Sequence, residues 1–161
     1  MDRFLSSTIN AIDKKGRVSV PASYRSILKE RRVLHARFSI EHPAVEAGGP
    51  DLIAMDEERL ARMDPFSREY EVWSFYLHGE AMRLKIDGDG RIVLGDDIRE
   101  HTGIDGRVAF VGRGHFFQMW EPGRFKAYRN EARAMVRRMR GTLGSPAGDL
   151  AGGPTATDGK R

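Results

Sequence analysis

Hydrophobic and polar positions along the chain change period several times, and each change marks an element. Residues 4–12, FLSSTINAI, alternate loosely and are rich in β-branched side chains, which predicts a strand. DKKG (13–16) reads as a tight turn, because an Asp at a turn start can bond back to its own backbone and Gly16 permits a positive φ. RVSV (17–20) is a second strand that closes a hairpin. Pro21 stands where a helix can begin, since its missing N–H is one that a first helical residue does not use. PASYRSILKERR (21–32) is then a short helix whose closing cations suit the negative end of its dipole. VLHARFSI (33–40) follows as a strand, EHPAVEAGGP (41–50) as a loop and DLIAM (51–55) as a strand.

The same order returns further on. EAMRLKI (80–86) predicts a strand, DGDG (87–90) a turn and RIVL (91–94) a strand. A short helix through His101 follows, capped by Asp96 or Asp97 and stopped by Gly103. RVAFVG (107–112) and FFQMW (116–120) flank the turn RGH (113–115) as a hairpin. Between the copies, residues 56–79 hold two helical patterns separated by Asp64-Pro65. In the second, Phe66, Tyr70, Trp73 and Leu77 recur at spacings of three and four, an apolar stripe suited to core or subunit contact. Past Pro122, GRFKAYRNEARAMVRRMR (123–140) is a basic amphipathic helix with Phe125, Tyr128, Ala132 and Met135 or Val136 on one side. From Gly141 onward the Gly/Pro/Ala-rich composition predicts disorder.

DKKGRVSVPASYR (13–25) and DGDGRIVLGDDIR (87–99) align at an offset of 74. They share Asp13/Asp87, Gly16/Gly90, Arg17/Arg91 and Arg25/Arg99, with apolar character kept at Val18/Ile92 and Val20/Leu94. LIAMDEERL (52–60) aligns with FQMWEPGRF (117–125) at an offset of 65, which predicts a nine-residue insertion in the first copy, absorbed by the loop at 41–50. A duplication of this kind usually builds two units related by a pseudo-twofold axis. The expected organisation is a first repeat at 7–54, a helical linker at 55–79, a second repeat at 80–123, a basic helix at 124–140 and a disordered tail at 141–161.

Composition narrows the chemistry. A chain of 161 residues suffices for one ordinary domain, or for two half-size units that need each other to bury a core. The absence of cysteine excludes disulfides and thiolate chemistry and fits a reducing cytoplasm. Apolar runs are too short to span a bilayer, and no charged-then-apolar leader opens the chain. The net charge of +4 conceals segregation, with basic blocks at 1–37 and 124–140 around an acidic middle. A basic end offers a surface for anions or nucleic acid, although a merely solvated face explains the second block equally well.

No catalytic set emerges. Asp87/Asp89 and Asp96/Asp97 are paired acids, but Asp87 opens a turn and Asp96 or Asp97 caps a helix. No nucleophile elbow, phosphate-binding loop or dinucleotide fingerprint is present, so an enzyme is not expected. DGDGRIVLGDDI fails as a calcium loop, with Arg91, Ile92 and Ile98 where a ligand, a glycine and a glutamate are needed. His35, His42, His78, His101 and His115 lack zinc-site spacing, so neither metal nor cofactor is expected. The remaining candidate is nucleic acid. Lys14, Lys15 and Arg17 occupy or border the first turn, with Arg25, Lys29, Arg31 and Arg32 on the adjoining helix. A guanidinium projected from a turn can pair bidentately with a phosphate or a guanine edge, and lysines beside it add salt-sensitive phosphate attraction. Arg17 could equally serve as an ion-pair partner of Asp13 that staples the hairpin. Asp87 and Arg91 keep that pair without the lysines, so the Asp/Gly/Arg frame is expected to be structural in both copies, with the lysines marking the contact surface.

These two D-x-x-x-R motifs, and the VAFVGRGHFFQMWEPGRF stretch, resemble those of the MraZ family, whose subunits hold tandem SpoVT-AbrB domains. The resemblance implies an α+β fold, a double-ψ or swapped-hairpin β-barrel built from the two repeats with short flanking helices. It further implies a cytoplasmic, nucleoid-associated regulator that forms a ring-like homo-oligomer on double-stranded DNA. Such regulators act, often as repressors, at direct repeats before their own division and cell-wall gene cluster, with no membrane partner. By that analogy Arg17 contacts DNA, supported by Lys15, Lys14 and Arg3, with Arg91 the matching but acid-flanked position. Asp13, Gly16, Asp87 and Gly90 hold the turns. Gly95-Asp96 departs from the Pro21-Ala22 pattern, so the second helix is expected to start differently. The alternatives are an antitoxin of the same barrel superfamily that neutralises a toxin partner, and a purely structural assembly module.

Overall fold

The computed structural model describes residues 2–144 and divides into two compact units, Met1–Phe125 and Lys126–Arg161. The disorder expected for 141–161 lies outside the described residues from 145 on, whereas 141–143 are helical.

The first unit is α+β. Strands β1 (Ser7–Ala11) and β2 (Arg17–Ser19) lead to helix α1 (Ala22–Leu28), strands β3 (Val33–Phe38) and β4 (Ala44–Gly48), and helix α2 (Pro50–Ala61). Helix α3 (Arg68–Ser74) runs into a π-helical turn, Phe75–Gly79. The order then repeats as β5 (Met82–Lys85), β6 (Arg91–Val93), α4 (Asp96–Thr102), β7 (Arg107–Gly112), β8 (Phe117–Trp120) and α5 (Pro122–Leu143), the last continuing through the second unit.

Strand pairing shows why the two copies cannot stand apart. One sheet has the order β1-β7-β8-β4-β3-β5, and the other pairs β2 with β6. β1 of the first copy therefore pairs with β7 of the second, Ile9 opposite Ala109, while β5 pairs with β3, Leu84 opposite Leu34. The symmetric pairs are β4 with β8 and β2 with β6, the latter centred on Val18 opposite Ile92. The repeats thus exchange strands, as a swapped-hairpin arrangement requires. The ladder itself does not close into one circuit, since β2 and β6 form a separate two-stranded sheet. Both sheets nevertheless bury side chains in one core, where Val18, Ile92, Leu34, Val45, Phe110 and Met119 meet. Its aromatic centre is Phe4, Tyr24 and Phe117, with ring centroids 4.9–5.3 Å apart.

Several expectations are corrected. Residues 44–48 form β4 and are not a loop, because AVEAG is small enough to be buried on both faces between β3 and β8. The expected strand DLIAM instead lies in α2, opened by Gly49-Pro50, a proline in the first helical turn where its lack of an N–H does no harm. Pro50 thus matches Pro122 and β4 matches β8, so the copies stay nearly in step without the nine-residue insertion. Gly95, rather than Asp96 or Asp97, is the N-cap of α4, and the two acids occupy its first turn, where the helix dipole favours them. Gly103, at φ 79°, does end that helix. Of the stripe Phe66, Tyr70, Trp73 and Leu77, only Leu77 is buried, and Phe66 is 96% exposed.

Candidate nucleic-acid interface

The two D-x-x-x-R turns fold almost identically. In the first, the Asp13 carbonyl accepts from the Gly16 N–H at 3.0 Å, and the Asp13 N–H donates to the Arg17 carbonyl at 2.8 Å. Asp13 Oδ1 accepts from the backbone N–H groups of Lys15 and Arg17, both at 2.9 Å, and Oδ2 accepts from Arg17 Nε at 2.7 Å. The carboxylate satisfies donors that a tight turn would otherwise leave to water. Those bonds, the Arg17 N–H foremost, hold the Asp13 carboxyl below its ordinary value. Gly16 takes φ 80°, a conformation glycine reaches without a Cβ clash.

The second turn repeats this with Asp87 Oδ1 on Asp89 N–H and Arg91 N–H, and Oδ2 on Arg91 Nε at 3.1 Å. Asp87 is lowered for the same reason, led by the Arg91 N–H. One contact has no counterpart. Arg91 Nη2 also donates to Asp89 Oδ2 at 3.0 Å, so an exposed carboxylate covers the outer edge of this guanidinium. The position matching Asp89 is Lys15, which puts a cation there instead. Arg17 therefore has two terminal nitrogens with no hydrogen bond among the described residues, flanked by exposed Lys14 and Lys15. The same frame carries an open guanidinium in one copy and a neutralised one in the other.

Exchange of strands also relocates α1. α1 ends at Leu28, so of the four cations expected on it only Arg25 is helical, and all four stand not beside the first turn but over the second. Arg25, Lys29, Arg31 and Arg32 line a cleft of about 370 Å³ with Asp87, Gly88 and Gly90. Arg25 Nε donates to the Val20 carbonyl at 3.0 Å and packs so closely on Gly90 that a Cβ there would lie 2.7 Å from Arg25 Cδ. Arg99 does the reciprocal work, bonding the Leu94 and Asp105 carbonyls with its terminal nitrogen over Gly16. The shared Arg25/Arg99 pair thus clamps each copy to the other's turn, a role that sequence spacing alone could not reveal. Arg3 lies apart from Arg17, beyond the far end of β1, in a cleft with Lys29, Arg31 and His115.

A second polar cluster went unsuspected. Arg37 in β3 is 4% exposed and donates bidentately to Asp56 of α2, both bonds at 2.8 Å, and to Glu46 of β4. Glu46 in turn accepts from Gln118 Nε2 at 3.0 Å, and Gln118 accepts from the Trp120 indole. These carboxylates hold the guanidinium charged above its ordinary value, against the desolvation that opposes it. The one sequence signal was an arginine inside the strand VLHARF, whose other polar residue is His35.

A family model described as "MraZ protein, putative antitoxin-like" matches residues 77–140. The transcriptional regulator MraZ of Azorhizobium caulinodans is 44% identical over 151 residues, covering 92% of this chain and 96% of the relative. The chain belongs to the MraZ family. The regulator of the same name from Beijerinckia indica subsp. indica is 43% identical across 90% of both chains, and that of Rhizobium leguminosarum bv. trifolii 44% identical across 83% of this chain. By this kinship the chain is a transcription regulator. Among the described residues, no helix is long and apolar enough to cross a membrane.

Proposed function

We propose that the chain is a sequence-specific double-stranded-DNA-binding regulator, expected to repress, that reads its target with the first D-x-x-x-R turn. The observation that carries this is the asymmetry between the turns, Arg17 open beside Lys14 and Lys15, Arg91 closed by Asp89. Arg17 supplies the directional contact to a base edge or phosphate. Lys14 and Lys15 add attraction to the backbone, and Asp13 and Gly16 hold the arginine in place. Arg91 contributes less, and Arg3 acts at the margin.

A single turn of three cations binds weakly, so the reading includes a ring-like homo-oligomer that presents several turns to direct repeats. Later contacts then become intramolecular and the repeats are favoured over isolated boxes. The target is the region before its own gene in the division and cell-wall cluster, in the cytoplasm at the nucleoid. Footprinting and gel shifts on that region test the assignment, with solution mass measured in parallel. Arg17→Ala should weaken promoter binding more than tenfold at unchanged oligomer size, while Arg91→Ala weakens it only slightly. Equal binding by the parent and Arg17→Ala would remove the first turn from the interface. The family description as antitoxin-like favours one second reading, a regulator that also sequesters a toxin, which co-purification of a small nuclease with the untagged chain would support.

A further inference from the structure

Helix α5 carries a row of exposed cations with no ion-pair partner among the described residues. Lys126, Arg133, Arg137 and Arg140 follow one another at spacings of seven, four and three, which places them on one face of a helix of 3.6 residues per turn. All four are exposed, and none has a carboxylate within ion-pair distance among the described residues. Glu131 is the single acid between Pro122 and Leu143, and it lies off that face. Arg133 and Arg137 stand four residues apart, a like-charge spacing that destabilises a helix rather than supporting it. A partner with dense negative charge along this face would relieve that repulsion.

We propose that this face of α5 is a second nucleic-acid contact, binding the phosphate backbone of duplex DNA without regard to sequence. From Lys126 to Arg140 the row spans roughly 21 Å at 1.5 Å per residue. Duplex DNA carries one charge per about 1.7 Å of its axis, so a duplex laid along the row meets every cation. Three of the four cations in the row are arginines, whose planar guanidinium matches two phosphate oxygens at once. An acidic protein surface would offer no such regular repeat. The inference rests on the reading of the chain as a DNA-binding regulator and adds a separate, non-specific anchor to the Arg17 turn.

The test uses the full chain and fluorescence anisotropy on two duplexes, the region before the gene and a scrambled one, across a salt series. Replacing Arg133, Arg137 and Arg140 together by Gln should lower the slope of log K against log salt by about 3, since each phosphate contact contributes about 0.9. The preference for the cognate duplex should stay unchanged. The triple Lys variant should restore the slope, which ties the loss to charge, and an unchanged thermal unfolding midpoint of the Gln variant excludes misfolding as the cause. An unaltered slope in the Gln variant would overturn the anchor, as would loss only of binding to phosphatidylglycerol vesicles. Arg17→Ala should do the opposite, removing sequence preference while keeping most of the slope. If Arg17→Ala changes nothing and the Gln variant loses the slope, the turn reading falls and the anchor stands. A parent chain that holds neither duplex at low salt refutes both.

Discussion

Gly90 and Gly16 look equivalent in the sequence, yet their surroundings differ. Both take a left-handed φ near 80°, which costs a side-chain-bearing residue about 1–2 kcal/mol. At Gly16 the nearest atom to an added Cβ is 3.7 Å away, so Gly16→Ala should lose about that amount and no more. At Gly90 the Cβ would strike Arg25 at 2.7 Å, and moving Arg25 breaks its bond to the Val20 carbonyl. Gly90→Ala should therefore lose about 1 kcal/mol more than Gly16→Ala. Denaturant midpoints of the two variants at equal m-value give that difference directly. Matching motif residues thus share a backbone conformation without sharing a packing environment.

At the scale of elements, the Arg37 cluster ties β3, β4, β8 and α2 through charges rather than apolar contact. Removing one partner of a buried ion pair leaves the other charged and unsolvated, so Arg37→Ala should destabilise by about 3–5 kcal/mol. Arg37→Met together with Asp56→Leu and Glu46→Gln should recover much of that loss, because no buried charge is then left unpaired and the side-chain volume is nearly kept. Thermal unfolding of the single and triple variants separates the two cases. The region 41–55 departs from its local pattern for a different reason. AVEAG has too few large apolar residues to resemble a strand, and its place in the sheet depends on neighbours from both copies. DLIAM has strand-like content, but the Pro50 start and the Leu52, Asp56 and Leu60 face belong to a helix.

At the scale of the whole molecule, exchange of strands makes the first unit inseparable. Residues 1–79 alone would leave β1 without β7 and β3 without β5, and residues 80–144 would lose the matching partners. Each fragment by itself should lack fixed tertiary structure, shown by narrow chemical-shift dispersion. An equimolar mixture should recover a dispersed spectrum, because the pairing that crosses the repeats can form between chains. A pair of independently dispersed fragments would contradict the interlocked core.

Short-range chemistry was legible from the chain alone. The two turns follow from Asp, Gly and Arg at fixed spacing, because a carboxylate two to four residues from its donors needs nothing distant to satisfy them. The doubled motif and the basic helix past Pro122 follow equally from local pattern, and the α+β class from the resemblance those motifs carry. What tertiary structure alone decided is which copy each element serves. Arg25 lies twelve residues from Asp13 in sequence but packs on Gly90, and Arg37 meets Asp56 only because α2 folds back over β3. Pairing between repeats depends on the burial of a shared core, a sum over many distant residues that no window of sequence contains.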